Sequence, residues 1–296
     1  MSSSQPRFSI VIPCYNEALY IGNALRSLKS QKFSGRFEII VVDNNSTDQT
    51  AKIALKNGAR VISEIHPGTC WARQAGAKAA KGEIIISTDA DTVFRSNWLQ
   101  KIDDSFKKNP RAVAVSGPCA YFDGPWWGKI YPKILFGAVN LVYHPLGRPF
   151  YVTATNIAFK KSAWSGYDTT LTQGGDELDL LHKLAKKGKV LFDNKNVSLT
   201  SARRLQKGLF YNLFVSFLVY YLLAYYLNKL FKRTILGTAP AYRENNKLMR
   251  TKQLFPRFAL VSLAVVVLAW TSIFSGMTHW AFNIVHAAGH LLKKLI

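Results

Sequence analysis

Three short β-rich runs, at residues 8–13, 38–42 and 83–87, alternate with stretches whose apolar residues recur at helical spacing. That alternation limits the available folds more than any other feature of the chain. Between the first two runs, Ala18, Ile21, Leu25 and Leu28 share one face of a helix expected over residues 17–31, with Asn16 placed to cap its start. A second helix is expected after Ser46-Thr47-Asp48, ending at the Asn57-Gly58 stop signal. A third, over residues 69–81, carries the small residues Ala72, Ala75, Gly76 and Ala79, which allow close packing. Strands alternating with helices imply a parallel α/β sheet joined by right-handed crossovers. Ligands of such sheets bind at the carboxyl ends of the strands, so the polar residues found there are where chemistry should be sought.

The first strand runs out into Pro13-Cys14-Tyr15-Asn16-Glu17, the second into Asp43-Asn44-Asn45-Ser46-Thr47-Asp48, and a later one into Thr88-Asp89-Ala90-Asp91. Two acids spaced i, i+2 as the chain leaves a strand can share a hard divalent cation. Mg²⁺ and Mn²⁺ prefer such oxygen ligands and commonly bind substrate phosphates as well. An isolated Asp-x-Asp is a common turn. Directly after Ile84-Ile85-Ile86, and beside two other polar strand ends, it reads as a site. Plainer roles exist for the neighbours: Asp43 suits an Asx-turn, Asp48 a helix N-terminus, Glu17 a first-turn acid, and Arg73 a solvated helix charge.

The segments 9–17 and 41–48, then Ala72-Arg73-Gln74-Ala75-Gly76, Gly82-Glu83 and Asp89-Ala90-Asp91, resemble the nucleotide-binding half of family 2 glycosyltransferases in order and spacing. The resemblance covers roughly residues 8–205. It implies an α/β GT-A fold (the Rossmann-like nucleotide-diphospho-sugar transferase fold) and transfer of a sugar from a nucleotide-sugar donor, usually with inversion. By that resemblance Pro13, Tyr15, Glu17 and Asp43 line the base and ribose pocket, and Arg73 sits near the nucleotide. Asp89 lies near ribose and metal waters, and Asp91 binds the metal, Mg²⁺ or Mn²⁺.

Downstream, the segment 153–159 resembles the family's acceptor side, and Asp176-Glu177 stands where a Glu-Asp pair is usual. One acid of that pair takes the proton of the acceptor hydroxyl, which requires a carboxylate within hydrogen-bond reach. Asp176 aligns with the opening position of the pair and Glu177 follows it; both are candidates for the base. Arg203 and Arg204 suit a diphosphate leaving group, or lipid headgroups. The Gln-x-x-Arg-Trp signature of processive polysaccharide synthases is missing, which favours transfer of a single sugar. Gln74 stands where an Asn is common.

Composition matters once it is divided. Of 39 basic and 17 acidic residues, 29 and 16 lie in residues 1–207, against 10 and 1 in residues 208–296. The net +22 is thus +13 on one part and +9 on the other, which suits anionic nucleotide-sugars and anionic membrane lipid rather than nucleic acid. A boundary near residue 207 separates a catalytic domain, 1–207, from a membrane-associated helical tail, 208–296. The tail holds an uncharged, tyrosine-rich run at 208–228, a cleaner spanning candidate at 258–275, and eight basic residues between them. A spanning hairpin would put those eight cations outside, against the positive-inside tendency; a first run lying in the interface would keep them in the cytoplasm. The last candidate, 280–292, reads as an interfacial helix. Residues 123–149, rich in Trp, Tyr and Phe, suit core, an acceptor lid or an interfacial helix. Three widely spaced cysteines make no disulfide framework, and the polar start shows no signal peptide, so the catalytic domain is expected to face the cytoplasm.

The combined expectation is a membrane-anchored, metal-dependent transferase resembling dolichol- or polyprenyl-phosphate-sugar synthases or lipid-linked glycan transferases. Its acceptor would be a polyprenyl-phosphate or lipid-linked saccharide. A sugar-phosphate nucleotidyltransferase would want an N-terminal Gly-rich loop with a basic residue, which residues 8–20 lack. A catalytically inactive, polyanion-binding membrane protein would have no use for Asp89, Asp91, Asp176 and Glu177.

Overall fold

The computed structural model describes residues 5–171 and 175–212, with Val215, Val219, Leu223, Ala224, Leu227 and Asn228 beyond them. In chain order the first elements are β1 (Phe8–Cys14), α1 (Ile21–Lys29), β2 (Phe37–Asp43), α2 (Thr50–Lys56), β3 (Arg60–Ser63), α3 (Thr69–Ala79) and β4 (Ile84–Ser87). Then follow β5 (Thr92–Val93), α4 (Trp98–Lys108), β6 (Ala112–Ser116), β7 (Cys119–Tyr121), α5 (Tyr131–Leu146) and β8 (Ile157–Lys160). The last are α6 (Asp176–Ala185), β9 (Lys189–Phe192) and β10 (Ser198–Thr200), after which a 3-10 turn spans Arg203–Lys207.

Seven strands form the main sheet in the order β3-β2-β1-β4-β8-β6-β9. Alternation within each strand sends side chains to two cores. Phe8, Ile10 and Ile12 of β1 pack with Ile21, Leu25 and Leu28 of α1 and with Trp98, Leu99 and Ile102 of α4. Val11, Ile40 and Val42 face the other way, against Ala72 and Ala77 of α3 and Leu180, Leu181 and Leu184 of α6. The small-residue face expected on α3 is used: a Cβ on Gly76 would collide with Val11 and Val42. Gly58 ends α2 at φ 71, a left-handed position that glycine adopts without steric cost.

The all-parallel sheet expected from the strand–helix alternation holds for β1 to β4 and for the β6–β9 pair. It fails at β8, which runs antiparallel to both β4 and β6. Residues 117–156 leave the sheet after β6 to build β7 and α5, and the chain re-enters at the end it left, with Ile157 of β8 opposite Ser116 of β6. A crossover helix of ordinary length does not bridge β6 and β8, so nothing imposes the parallel direction.

A second, three-stranded sheet, β5-β10-β7, was not foreseen. β10 pairs antiparallel with β5, Thr200 opposite Thr92, and parallel with β7, Thr200 opposite Tyr121. It brings residues near 200 to the end of β4. Of the expected tail, the spanning candidate 258–275, the basic stretch 229–257 and the helix 280–292 lie outside the described residues, as do ten of the 21 residues of 208–228. Among the described residues, no helix is long and apolar enough to cross a membrane.

Candidate active site

Register places the first polar strand ends side by side, with Cys14 of β1 opposite Asp43 of β2. The loops that follow are stitched to each other. Asn16, at φ 53, and Asn45, at φ 66, occupy the left-handed region that asparagine tolerates better than most residues. Asn16 accepts from the Thr47 amide at 2.7 Å, and its own amide donates to Ser46 Oγ at 2.9 Å. Asn16 therefore ties loop to loop and does not cap α1, which begins four residues later than expected, behind Tyr20. Asp48 takes the role of a helix-terminus acid. It accepts from the Thr50 amide at 2.9 Å and from the Ala18 amide at 3.1 Å, and these bonds hold its carboxyl below the ordinary range although partial burial opposes them. Asp43 accepts from the Ser46 amide at 3.3 Å, as an Asx-turn would have it. Pro13, the residue before the last of β1, is half-buried, and Tyr15, just past the strand, is exposed.

Glu17 leaves this loop to meet a residue from the far end of the domain. Arg203 donates to both its oxygens, Nη1 to Oε2 at 2.9 Å and Nη2 to Oε1 at 2.7 Å, and the same Nη2 lies 3.0 Å from Asp91 Oδ2. The guanidinium rests over the Tyr20 ring at 4.7 Å, a cation–π contact. The other oxygen of Asp91 accepts from Thr200 Oγ1 at 3.2 Å. Burial lifts the carboxyls of Glu17 and Asp91 above their ordinary values despite Arg203, because each also feels another acid nearby. Arg204 is exposed, and its charge acts on Asp91 from a greater distance.

Arg73 makes the second cluster. Expected near the nucleotide, it is 4% exposed on α3, between Asp89 and Asp176. Nη2 donates to Asp89 Oδ1 at 3.0 Å, and Nη1 donates to Asp176 Oδ2. A helix that packs tightly on β1 and β2 thus aims one long side chain under the end of β4. Burial works against a charged guanidinium, but Asp176 and Asp89 outweigh it and keep the cation firmly protonated.

The adjacent acids divide their roles. Burial pushes the Asp176 carboxyl up, and the Arg73 charge more than reverses this, so Asp176 stays ionised. Glu177 is driven well above the ordinary glutamate range, by burial first and the Asp176 charge second. Its Oε2 is enclosed and finds no hydrogen-bond partner among the described residues, and the same holds for Asp176 Oδ1 and Arg73 Nε. Enclosed polar atoms without partners are costly unless something else satisfies them, and here three belong to the Arg73–Asp176–Glu177 group.

The two acids leaving β4 offer hard oxygen ligands, the right chemistry for Mg²⁺ or Mn²⁺. Among the described residues no group of three or more His, Cys, Asp or Glu could hold a metal ion. Two carboxylates alone fall short of a full shell, so a cation held by Asp89 and Asp91 would also need phosphate and water oxygens, and Asp91 would have to give up its contact with Arg203.

Of the residues singled out from sequence, Glu17, Asp89, Asp91, Arg73, Asp176 and Arg203 come together, and Pro13, Tyr15 and Asp43 border them on the adjoining strands. Three contributors escaped notice. Thr200 fixes Asp91, Tyr20 supports Arg203, and Asp123 holds the Arg203 segment through Ser201 Oγ at 2.8 Å and the Ala202 amide. Lone Thr, Tyr and Asp residues carry no spacing signal that would find them. The segment 153–159 has a structural centre in Asn156, which is 2% exposed. It accepts from Trp98 Nε1 at 2.9 Å and donates to the carbonyls of Pro118 and Asn196 at 3.0 and 2.6 Å.

A model of glycosyl transferase family 2 matches residues 9–165. An uncharacterized glycosyltransferase of Mycobacterium tuberculosis is 34% identical over 125 residues, covering 41% of this chain and 54% of that protein. The poly-beta-1,6-N-acetyl-D-glucosamine synthase of Staphylococcus epidermidis is 34% identical over 165 residues, covering 52% of this chain and 40% of the synthase. The matched region thus spans about half or less of these relatives. Among solved structures, the mannosyltransferase PcManGT from Pyrobaculum calidifontis in complex with GDP-Man and Mn²⁺ has a TM-score of 0.59 at 18% identity, over 98% of this chain and 81% of its own. S. aureus TarS 1-349 in complex with UDP-GlcNAc has a TM-score of 0.53 at 18% identity, over 66% and 58%. At such identity these two likenesses speak for the GT-A-like fold alone.

Proposed function

Because the chain belongs to glycosyl transferase family 2, we propose that it moves a single sugar, with inversion, from a nucleotide-sugar donor to a membrane-proximal acceptor. The observation that carries the reading is the convergence of Asp89 and Asp91, at the end of β4, with Arg203 on one side and the Arg73–Asp176–Glu177 group on the other. An α/β sheet gathers its ligand chemistry at this edge, and a nucleoside diphosphate needs both cations and a metal-binding acid pair.

Pro13, Tyr15 and Asp43 border the donor's nucleoside end. Asp89 and Asp91 would hold Mg²⁺ or Mn²⁺, which stabilises negative charge on a departing diphosphate. Arg203 has five N–H donors in a rigid fork; as the acids take up a cation it is released to face the phosphates, with Arg204 behind it. Arg73 stays where it is and fixes Asp89 relative to Asp176.

Asp176 and Glu177 were both candidates for the base, with Asp176 placed first. The ion pair supports the opposite order. An acid locked to a buried guanidinium is ionised but weakly basic, and its Oδ2 is engaged. Glu177 has an unsatisfied oxygen and a raised proton affinity, which suit a group that takes a hydroxyl proton as the acceptor oxygen attacks the anomeric carbon. Asp176 is then a positioning residue. A polyprenyl-phosphate or another lipid-linked acceptor, a catalytic domain facing the cytoplasm, and a tail from residue 208 that holds the enzyme to the membrane complete the proposal. The charge partition and the uncharged runs of residues 208–296 support them.

Screening UDP-, GDP- and dTDP-sugars against membrane lipid extracts, with and without Mn²⁺, tests the reading. Radiolabel should pass from one donor to the lipid fraction, and Glu177→Gln should slow transfer by about 10²–10⁴-fold while nucleotide binding persists. Full transfer by Glu177→Gln would remove it from the base position.

A further inference from the structure

α5 buries one side and leaves the other exposed among the described residues. Pro132, Phe136 and Val139 face inward, where Phe136 and Val139 pack with Phe192. On the outer side Trp126 is 76% exposed, Ile134 69% and Leu141 75%, with Ile130 also exposed. Ile130, Ile134 and Leu141 are four and seven residues apart, so they form one stripe along the helix, and Trp126 extends it through the preceding turn. Large apolar side chains gathered in this way mark a surface that meets something other than water.

The charges around the stripe say what it meets. Lys129, Lys133 and Arg148 are exposed along it, and no acid occurs between Asp123 and Asp168. We propose that this face of α5 lies on an anionic membrane surface. Its apolar stripe enters the headgroup boundary while the three cations meet lipid phosphates. A second copy of the chain is a poor occupant, since a two-fold pairing would set cations of the same sign against one another. The basic stretch of residues 229–257, with eight cations and one acid, is poor for the same reason.

The face is fixed relative to the site. Asp123, just before the stripe, accepts from Ser201 Oγ and the Ala202 amide, and a Cβ on Gly128 would press on Leu205. The segment that starts the stripe is therefore braced against the residues that carry Arg203. Leu209 and Phe210, which follow Leu205 where the uncharged run begins, are exposed as well. Docking through α5 would hold the strand-end site at a set distance from the bilayer, and it does not depend on which reaction occurs there.

The test uses the full chain bound to vesicles of phosphatidylcholine, with or without phosphatidylglycerol, both doped with nitroxide lipid. A polarity-sensitive fluorophore is attached at Ile134→Cys, at Leu141→Cys, or at Leu55→Cys, an exposed site on α2. Unsubstituted protein treated alike gives the background from Cys14, Cys70 and Cys119. Several-fold quenching at positions 134 and 141, greater with phosphatidylglycerol, is expected, with little at position 55. Lys129→Glu combined with Lys133→Glu should reduce it. Labels at 134 and 141 that stay in water in both vesicle types overturn the proposal. So does equal quenching with and without phosphatidylglycerol, or a label that is shielded before lipid is added. Because the readout is label depth, a failure here leaves the transfer reaction untouched, and an inactive enzyme leaves this result untouched.

Discussion

The Arg73 and Arg203 clusters use the same chemistry in different surroundings. Arg73 stands on α3, which packs against the sheet through Gly76, and its guanidinium is almost wholly enclosed between Asp89 and Asp176. Arg203 stands on a 3-10 turn, its side chain 16% exposed, and it spans Glu17 and Asp91 from the edge of the small sheet. An enclosed charge that loses a partner has no water to replace it, whereas a partly solvated one does. Arg73 is consequently a strut, and Arg203 is the contact that the proposed function would exchange for donor phosphates.

Substitutions can break that contrast, and the largest effect is expected at the strut. Asp176→Ala leaves Arg73 charged without its main partner and should cost about 3–5 kcal/mol, read from denaturant midpoints. A loss near zero would mean that the ion pair holds nothing. Next, Glu177→Gln should lower kcat by about 10²–10⁴-fold, the usual contribution of a general base, with donor affinity retained. Asp91→Asn should remove the response of donor binding to Mn²⁺ in calorimetry, with a smaller stability change than Asp176→Ala because Arg203 keeps Glu17. Arg203→Lys gives up the two-pronged contact with Glu17 and should cost no more than about 1 kcal/mol of stability, while raising KM for the donor. A stability loss as large as that of Asp176→Ala would erase the distinction between strut and gate.

The pH dependence is the mildest test. Glu177 has a folded proton affinity above that of the unfolded chain, so burial favours its neutral form. The stability it contributes is fully present below the unfolded value and is lost as pH rises through the folded one. Glu177→Gln should therefore be more stable than wild type at neutral pH, and the gap should close as the solution is acidified. Activity should run the opposite way in wild type, rising with pH through a midpoint above the ordinary glutamate range.

Much of the domain was legible because local rules and tertiary packing agreed. The runs at 8–13, 38–42 and 83–87 became β1, β2 and β4, and the polar residues that follow them meet at one edge because parallel strands in register bring like ends together. Glycines were legible for steric reasons, at Gly58 where α2 ends and at Gly76 where α3 meets the sheet. The error at Asn16 was one of competing partners. Its side chain satisfies Thr47, 31 residues away, in place of the first turn of α1, a choice that sequence spacing cannot display.

By itself, then, the sequence determined which groups are present at the strand ends and that a hard cation and phosphates suit them, because residue chemistry and strand periodicity are local properties. Tertiary structure decided how the charges pair. Glu17 meets Arg203 across 186 positions, Arg73 meets Asp176 across 103, and β10 enters beside β5 with Thr200 aimed at Asp91. Those pairings fix which acid is tied down and which retains an unsatisfied oxygen. The proton affinities of Asp176 and Glu177, neighbours in sequence, part in opposite directions for that reason: Asp176 is bonded to the buried cation, whereas for Glu177 burial and the Asp176 charge outweigh it.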